Sequence, residues 1–214
     1  MVKYPELFHQ EKSEDVPISS SDMKVRDMIV ERCSRNDIRN FVEKWHYSKN
    51  INGVKSQYCF ALYYKRYLIG AAIFSWMAMA NVWKSYVDKE EDFIELRRLC
   101  CIDDTPRNTE SYFIGHCMRW LRKNTKIIKI IAYSDPHYGH IGTIYKATNF
   151  KYLGQTSKSK VIVMGDRVWH EKTIRNQHGG SVKPYALKLK KSLELGKAHF
   201  EHREGKHIYL FNLR

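Results

Sequence analysis

Residues 127–133 read Ile-Ile-Lys-Ile-Ile-Ala-Tyr, and this run restricts the choice of fold more than any other stretch of the chain. A short, nearly continuous apolar segment suits a strand covered on both faces, the character of a strand in a parallel sheet. Its neighbours supply the rest of such a layer. Upstream, residues 93–102 alternate Ile94, Leu96, Arg98 and Cys100 against Glu95, Arg97 and Leu99, which reads as a central strand with charge at one level. A loop bearing Pro106 follows, then a helix whose apolar face is Ile114, Cys117, Met118 and Leu121.

The same periodicities extend in both directions. Residues 25–33 alternate like a strand, and Asp37 is expected to cap a helix through Ile38, Phe41, Val42 and Trp45. Residues 57–64 and 67–76 read as a hairpin joined at Lys65-Arg66, although that dipeptide is not an ideal tight turn. Beyond the apolar run come a short helix over about 142–150 and a strand near Tyr152. The order β-α-β-β-β-α-β-α-β predicts an α/β fold, a central mixed sheet flanked by helices. After Gly154 the pattern weakens to a hairpin around Gly165-Asp166, a helix over about 185–195 and a strand over 207–213. Residues 1–20 are polar and read as a flexible N-terminal arm. Without internal repeat or linker, residues 21–214 read as a single domain.

With 214 residues and 43% hydrophobic content the chain can bury a real core. Its 37 basic residues exceed its 23 acidic ones, a net charge of +14 that favours a polyanionic partner, most simply nucleic acid or an acidic membrane surface. No apolar run approaches the roughly 18 residues of a spanning helix, and the N-terminus has no signal-peptide core, so neither an integral membrane protein nor a secreted one is expected. Five cysteines with no CxxC pair fit neither a disulfide framework nor a zinc ribbon; they read as small buried residues in a reducing cytosol.

The densest chemistry lies in residues 93–154. Ligands of open α/β sheets sit at the carboxyl ends of the strands, where the loops after Ile102 and Tyr133 fall. Asp135 directly follows the apolar run and is a candidate base beside Ser134; the bland alternative is a capped turn before Pro136. Tyr145 is a candidate acid, or a packed core tyrosine. His46, Asp135 and His140 form a set that could hold a divalent metal, although helix-end and loop histidines are common. The helix start at 107–111 suits an anion, or is simply capped by Asn108 or Thr109.

The segment ending in Asn149-Phe150-Lys151-Tyr152-Leu153-Gly154 resembles the acyltransferase half of the GNAT superfamily. More closely, residues 95–114 (ELRRLCCIDDTPRNTESYFI) and 132–154 (AYSDPHYGHIGTIYKATNFKYLG) resemble the Mom family of bacteriophage DNA-modification proteins, with support from WHYSK at 45–49 and KHIYLF at 206–211. The resemblance implies a GNAT-like fold and modification of adenine in double-stranded DNA at its exocyclic amine with a carbamoylmethyl-type group. Such a protein would protect phage DNA from restriction in the cytoplasm of the bacterial host. It also implies site residues. His46 and Tyr47 match the family's His-Tyr pair, and Ser134, Asp135, His140, Gly142 and Tyr145 match its central signature. Arg97, Asn108 and Ser111 match the donor side, where Arg98, Gly142 and Thr143 also fall. A divalent metal such as iron belongs to the same picture, with His46, Asp135 and His140 as its candidates. One departure concerns the donor. Residues 107–112 lack the glycine-bearing loop that grips acetyl-CoA in the superfamily, which leaves the donor open and makes an aminoacyl-tRNA, such as glycyl-tRNA, an alternative.

Rival classes fit less well. The run Ser134-Asp135-Pro136-His137-Tyr138 superficially resembles the Asp-Pro-Pro-Tyr loop of adenine methyltransferases, but His137 replaces a proline and no GxG follows a strand. A zinc deaminase lacks its Pro-Cys-x-x-Cys element. An acetyl-CoA-dependent N-acetyltransferase of a protein or small molecule, and a non-catalytic DNA-binding module, remain as alternatives.

Overall fold

The computed structural model describes residues 20–77, 79, 81–175, 177–178 and 181–214; nearly all of the expected N-terminal arm lies outside them. The first strands are β1 (Met28–Cys33), β2 (Tyr58–Tyr64), β3 (Tyr67–Ser75), β4 (Phe93–Cys101), β5 (Lys129–Ser134) and β6 (Lys151–Gln155). Then come β7 (Ser159–Met164), β8 (Arg167–His170), β9 (Gln177–His178), β10 (Ser181–Val182), β11 (His199–Arg203) and β12 (His207–Asn212). The helices are α1 (Arg35–Trp45), α2 (Thr109–Asn124), α3 (Thr143–Ala147) and α4 (Pro184–Glu194). The described residues divide into two compact units, those within 20–133, 142–153 and 208–214 in the first and those within 134–141 and 154–207 in the second.

The first unit is built on a seven-stranded sheet of order β1-β2-β3-β4-β5-β12-β6. β1 to β4 are antiparallel neighbours, while β4 and β5 run parallel, with α2 as the crossover that a parallel pair needs. The sheet is therefore mixed, as the sequence led us to expect. Ile130, Ile131 and Ala132 are fully buried, which is why the run shows no polar face. Lys129, at its start, extends its ammonium to the Tyr86 carbonyl at 2.7 Å. One face of α1 buries Ile38, Phe41 and Val42, and α2 buries Phe113, Ile114, Cys117 and Leu121.

Local chemistry corrects two boundaries. Asp37 is not the cap of α1. Ser34 is, with its hydroxyl accepting from the Asp37 amide and the Asp37 carboxylate accepting from the Ser34 amide at 2.7 Å, a reciprocal capping box. Residues 25–27 form a 3-10 turn, so the first strand begins at Met28. The hairpin closes at Lys65-Arg66 with Lys65 in the left-handed region at φ 53° and a bulge between Leu62 and Tyr63. Cys59 and Cys117 are buried, and burial pushes the thiols of Cys33 and Cys100 up to about 12.

The second unit has a three-stranded antiparallel sheet of order β11-β7-β8. The β7–β8 hairpin turns at Gly165-Asp166, as expected, whereas β11 has no counterpart in the sequence reading. Ile162, Leu189 and Ala198 form its small core, with Met164, Trp169, Ile174 and Leu193 packed around them. Among the described residues no helix is long and apolar enough to cross a membrane.

Candidate active site

In the first unit, the sheet splits at the carboxyl ends of its parallel strands. β4 and β5 pair from Phe93↔Lys129 to Leu96↔Ala132, yet β4 continues to Cys101. The pairing of β3 shifts at the same level, from Ile73↔Arg98 to Phe74↔Leu96, so Arg97 is the extra residue of a β-bulge. A bulge bends a strand, ends regular pairing and re-aims a side chain. Here it sits where a crevice of an open α/β sheet takes its ligand.

Glu95 stands two residues before Arg97 and meets it. Arg97 Nη1 donates to Glu95 Oε2 at 3.0 Å, and the two side chains are only 17% and 11% exposed. With that corner of the guanidinium occupied, its Nε is buried and has no hydrogen-bond partner. An unsatisfied buried donor costs about 1–3 kcal/mol unless an acceptor arrives. The Nε–Nη2 edge is the one that matches a carboxylate, phosphate or carbonyl oxygen. Sequence reasoning noted charge on this strand but did not single out Glu95. The i, i+2 spacing of Glu95 and Arg97 was the available signal. Arg98 is engaged differently. Its Nε and Nη2 both donate to the Asn50 carbonyl at 3.2 Å and its Nη1 to the Arg97 carbonyl at 2.8 Å, so it ties a loop to β4. Burial lowers its pKa, with the Arg97 charge adding to the effect.

Tyr145 lies on α3, 8% exposed, with its ring 5.2 Å from Tyr209 and 5.5 Å from Phe150. Burial raises its pKa, and Tyr47, Glu95 and Tyr209 push the same way through their charge. A hydroxyl held above its ordinary value keeps its proton through neutral pH, which suits an acid and not a base. The core-packing and acid readings of Tyr145 are thus compatible. Gly142 precedes α3 at φ 71°, and a Cβ there would fall 2.3 Å from the Tyr209 ring. That contact requires glycine at a position the sequence also places on the donor side. Tyr209 itself was missed; the KHIYLF motif was its only trace.

His46, at the end of α1, is buried, and Tyr47 is more exposed, their rings 4.2 Å apart. The Ser48 amide can only donate, and it reaches His46 Nδ1 at 3.1 Å, which assigns the ring proton to Nε2. At the start of α2, neither Asn108 nor Thr109 is the expected side-chain cap. Asn108 is exposed in the left-handed region at φ 71° with no capping bond, and the Thr109 hydroxyl donates to the Pro106 carbonyl at 2.7 Å. Ser111 is half-buried in the first turn, and Thr143 is exposed at the start of α3.

Ser134, Asp135 and His140 belong to the second unit. The Ser134 hydroxyl is buried without a hydrogen-bond partner. Asp135 is 8% exposed, and both of its oxygens are occupied. Oδ1 accepts the His137 amide at 3.1 Å, and Oδ2 lies 3.2 Å from Lys206 Nζ. The capped turn is therefore real, and Lys206 is a partner no local sequence signal announced. His140 is exposed, its amide donating to the Asp135 carbonyl at 3.3 Å. Among the described residues no group of three His, Cys, Asp or Glu side chains is placed to hold an ion.

Residues 27–214 match the sequence profile of the Mom protein family. The chain belongs to that family. Among curated proteins, methylcarbamoylase Mom of Escherichia phage Mu is 24% identical over 170 residues, spanning 78% of this chain and 69% of the relative. Among solved structures, a mutant spermidine N-acetyltransferase of Vibrio cholerae is 8% identical at a TM-score of 0.50, over 88% of this chain and 95% of that one. An Arabidopsis thaliana protein, NAA60, solved with acetyl-CoA, is 9% identical at the same TM-score, over 86% and 98%. At such identities the likeness concerns fold alone. This Mom-family chain has the GNAT-like fold that its sequence led us to expect.

Proposed function

We propose that this Mom-family protein is a GNAT-like transferase that modifies adenine in double-stranded DNA at its exocyclic N6 amine, adding an acyl- or aminoacyl-derived group of carbamoylmethyl type. The family match carries the reading, because its span includes the bulged strand, the apolar run and the α3 tyrosine. Protection of phage DNA from restriction is the biological role that follows.

The chemistry sets specific demands. An adenine amine is conjugated into its ring and is a poor nucleophile, so it needs positioning and a base. Within a duplex it is also hydrogen-bonded, so its nucleotide must be flipped out. In this reading the N6 amine attacks the donor's acyl carbon, the bond to the leaving atom breaks, and the Arg97 Nε–Nη2 edge receives the carbonyl oxygen as charge develops on it. The first product is an N6-acyl adenine; from a glycyl donor it is an isomer of the carbamoylmethyl adenine and reaches it by rearrangement, with no atom gained or lost. Tyr145 protonates the donor's leaving atom. Asp135, with Ser134 beside it in sequence, takes the amine proton on a lone pair that Lys206 and the His137 amide leave open. The donor is an aminoacyl-tRNA or another activated acyl compound in preference to acetyl-CoA, since residues 107–112 carry no glycine.

The test is direct. Expression in a bacterium followed by digestion of its DNA to nucleosides and mass spectrometry should show a new adenosine species. Standard nucleosides alone, with DNA binding intact, would favour a non-catalytic DNA-binding module. Tight, saturable acetyl-CoA binding in calorimetry would instead support an ordinary N-acetyltransferase.

A further inference from the structure

A second feature of the first unit lies apart from the split in the sheet. Between β1, β2 and α2 runs an open groove of about 280 Å³, lined by Val30, Arg32, Phe60 and one stripe of α2. That stripe is His116, Arg119, Trp120 and Lys123, spaced i, i+3, i+4 and i+7, so the four side chains share a helix face. No acidic residue lines the groove. Strand alternation sends Glu31 to the opposite face from Val30 and Arg32.

The floor is fixed in place. The Arg32 guanidinium lies 4.9 Å from the Trp120 ring centroid, 5.0 Å from Tyr58 and 5.3 Å from Phe60, and its Nη1 donates to the Cys59 carbonyl at 3.2 Å. Such a set of rings holds a cation by its quadrupoles and leaves the remaining donors of the fork available. Arg119 Nη2 reaches His116 Nδ1 at 2.9 Å, and Arg119 and Lys123 are both exposed. Among the described residues no carboxylate pairs with Arg32, Arg119 or Lys123. Like charges one helical turn apart repel each other. An uncompensated basic stripe on a preordered aromatic floor, in a chain of net charge +14, is complementary to a polyphosphate backbone.

We propose that this groove is a backbone-docking site for duplex DNA, in which Arg119 and Lys123 neutralise phosphates outside the reacting nucleotide while Arg32 forms the rigid floor. It rests on DNA being the substrate, and it adds a contact surface that the chemistry of the split sheet does not require. Phosphate contacts of this kind position a protein on DNA without reading its sequence.

The test uses the full chain and a fluorescently labelled duplex, with anisotropy titrations between about 50 and 200 mM salt. Each phosphate contact adds about 0.9 to the slope of log K against log salt. Arg119→Gln with Lys123→Gln should therefore lower the slope by roughly 2 and weaken binding at the lowest salt by about tenfold or more. The charge-conserving pair Arg119→Lys with Lys123→Arg should restore both, which a purely structural role would not produce. Unchanged affinity and slope in the glutamine variant overturn the proposal, as does a loss confined to a labelled tRNA. A wild-type protein that binds no duplex defeats the proposed function together with this site. A wild type that binds while the glutamine variant binds equally well defeats the site alone.

Discussion

The two units differ in how their structure is secured. The first rests on a long, fully buried core, and it holds all five cysteines, the buried Glu95–Arg97 pair and the packed tyrosines 145 and 209. The second has three residues at the centre of its core but nine lysines and three arginines against six acidic residues, and it holds Asp135 with its ion pair. Burial governs chemistry in the first, and exposed charge dominates the second. A pKa is perturbed where desolvation is strong, which is why the raised tyrosines and thiols belong to the first unit.

The harshest way to probe the buried region is Gly142→Ala. The new methyl meets the Tyr209 ring and the backbone is left-handed, so the loss should be about 3 kcal/mol or more, read from denaturant unfolding. A loss below about 1 kcal/mol would show that Tyr209 is free to move aside. Leu189→Ala tests the other side of the comparison. It should cost about 2–3 kcal/mol, and hydrogen exchange should quicken in β7, β8 and α4 while the β4 and β5 amides stay protected. Equal loss of protection in both units would mean that they unfold as one.

Alkaline pH separates the units by their cysteines. Cys33 and Cys100 have folded pKa values raised from 9.0 to about 12, so the folded state binds more protons than the unfolded one in between. Their contribution to stability is complete below about pH 9 and is lost as the pH rises toward about 12. The midpoint of unfolding followed by a probe in the first unit should fall between pH 8 and 10. A second-unit probe should move less, because that unit has no cysteine. The smallest effect is expected for the stability of Asp135→Asn. Asparagine still caps the turn, and the lost pair to half-exposed Lys206 is worth about 0–1 kcal/mol, so the melting temperature should barely change.

The same contrast decides what could be read from the sequence. Ile130–Ala132, the alternation of β4 and the apolar face of α2 are local patterns with buried consequences, and they located the parallel pair and its crossover. The bulge at Arg97 was invisible because it exists only relative to the register of β3. Gly142 against Tyr209 and Asp135 with Lys206 join segments far apart in the chain, so no window of sequence contains both partners. β11 escaped notice because His-Phe-Glu-His-Arg has one large apolar residue, and Phe200 is exposed with the Lys160 ammonium 4.2 Å above its ring. Ser34 was overlooked as a cap because Asp37, its reciprocal partner three residues on, is also a capping residue type.

The proposed chemistry stands most directly on one comparison of nucleosides. DNA from cells expressing the wild type, Tyr145→Phe or Asp135→Asn would be digested and analysed by mass spectrometry, after each purified protein had been shown to be folded and to bind duplex DNA. The wild type should yield a modified adenosine, and each variant should yield at least about a hundredfold less of it. Full modification by a folded Asp135→Asn protein would contradict its assignment as the base and leave it as a turn cap. No modified adenosine from the wild type would contradict the transfer reaction itself.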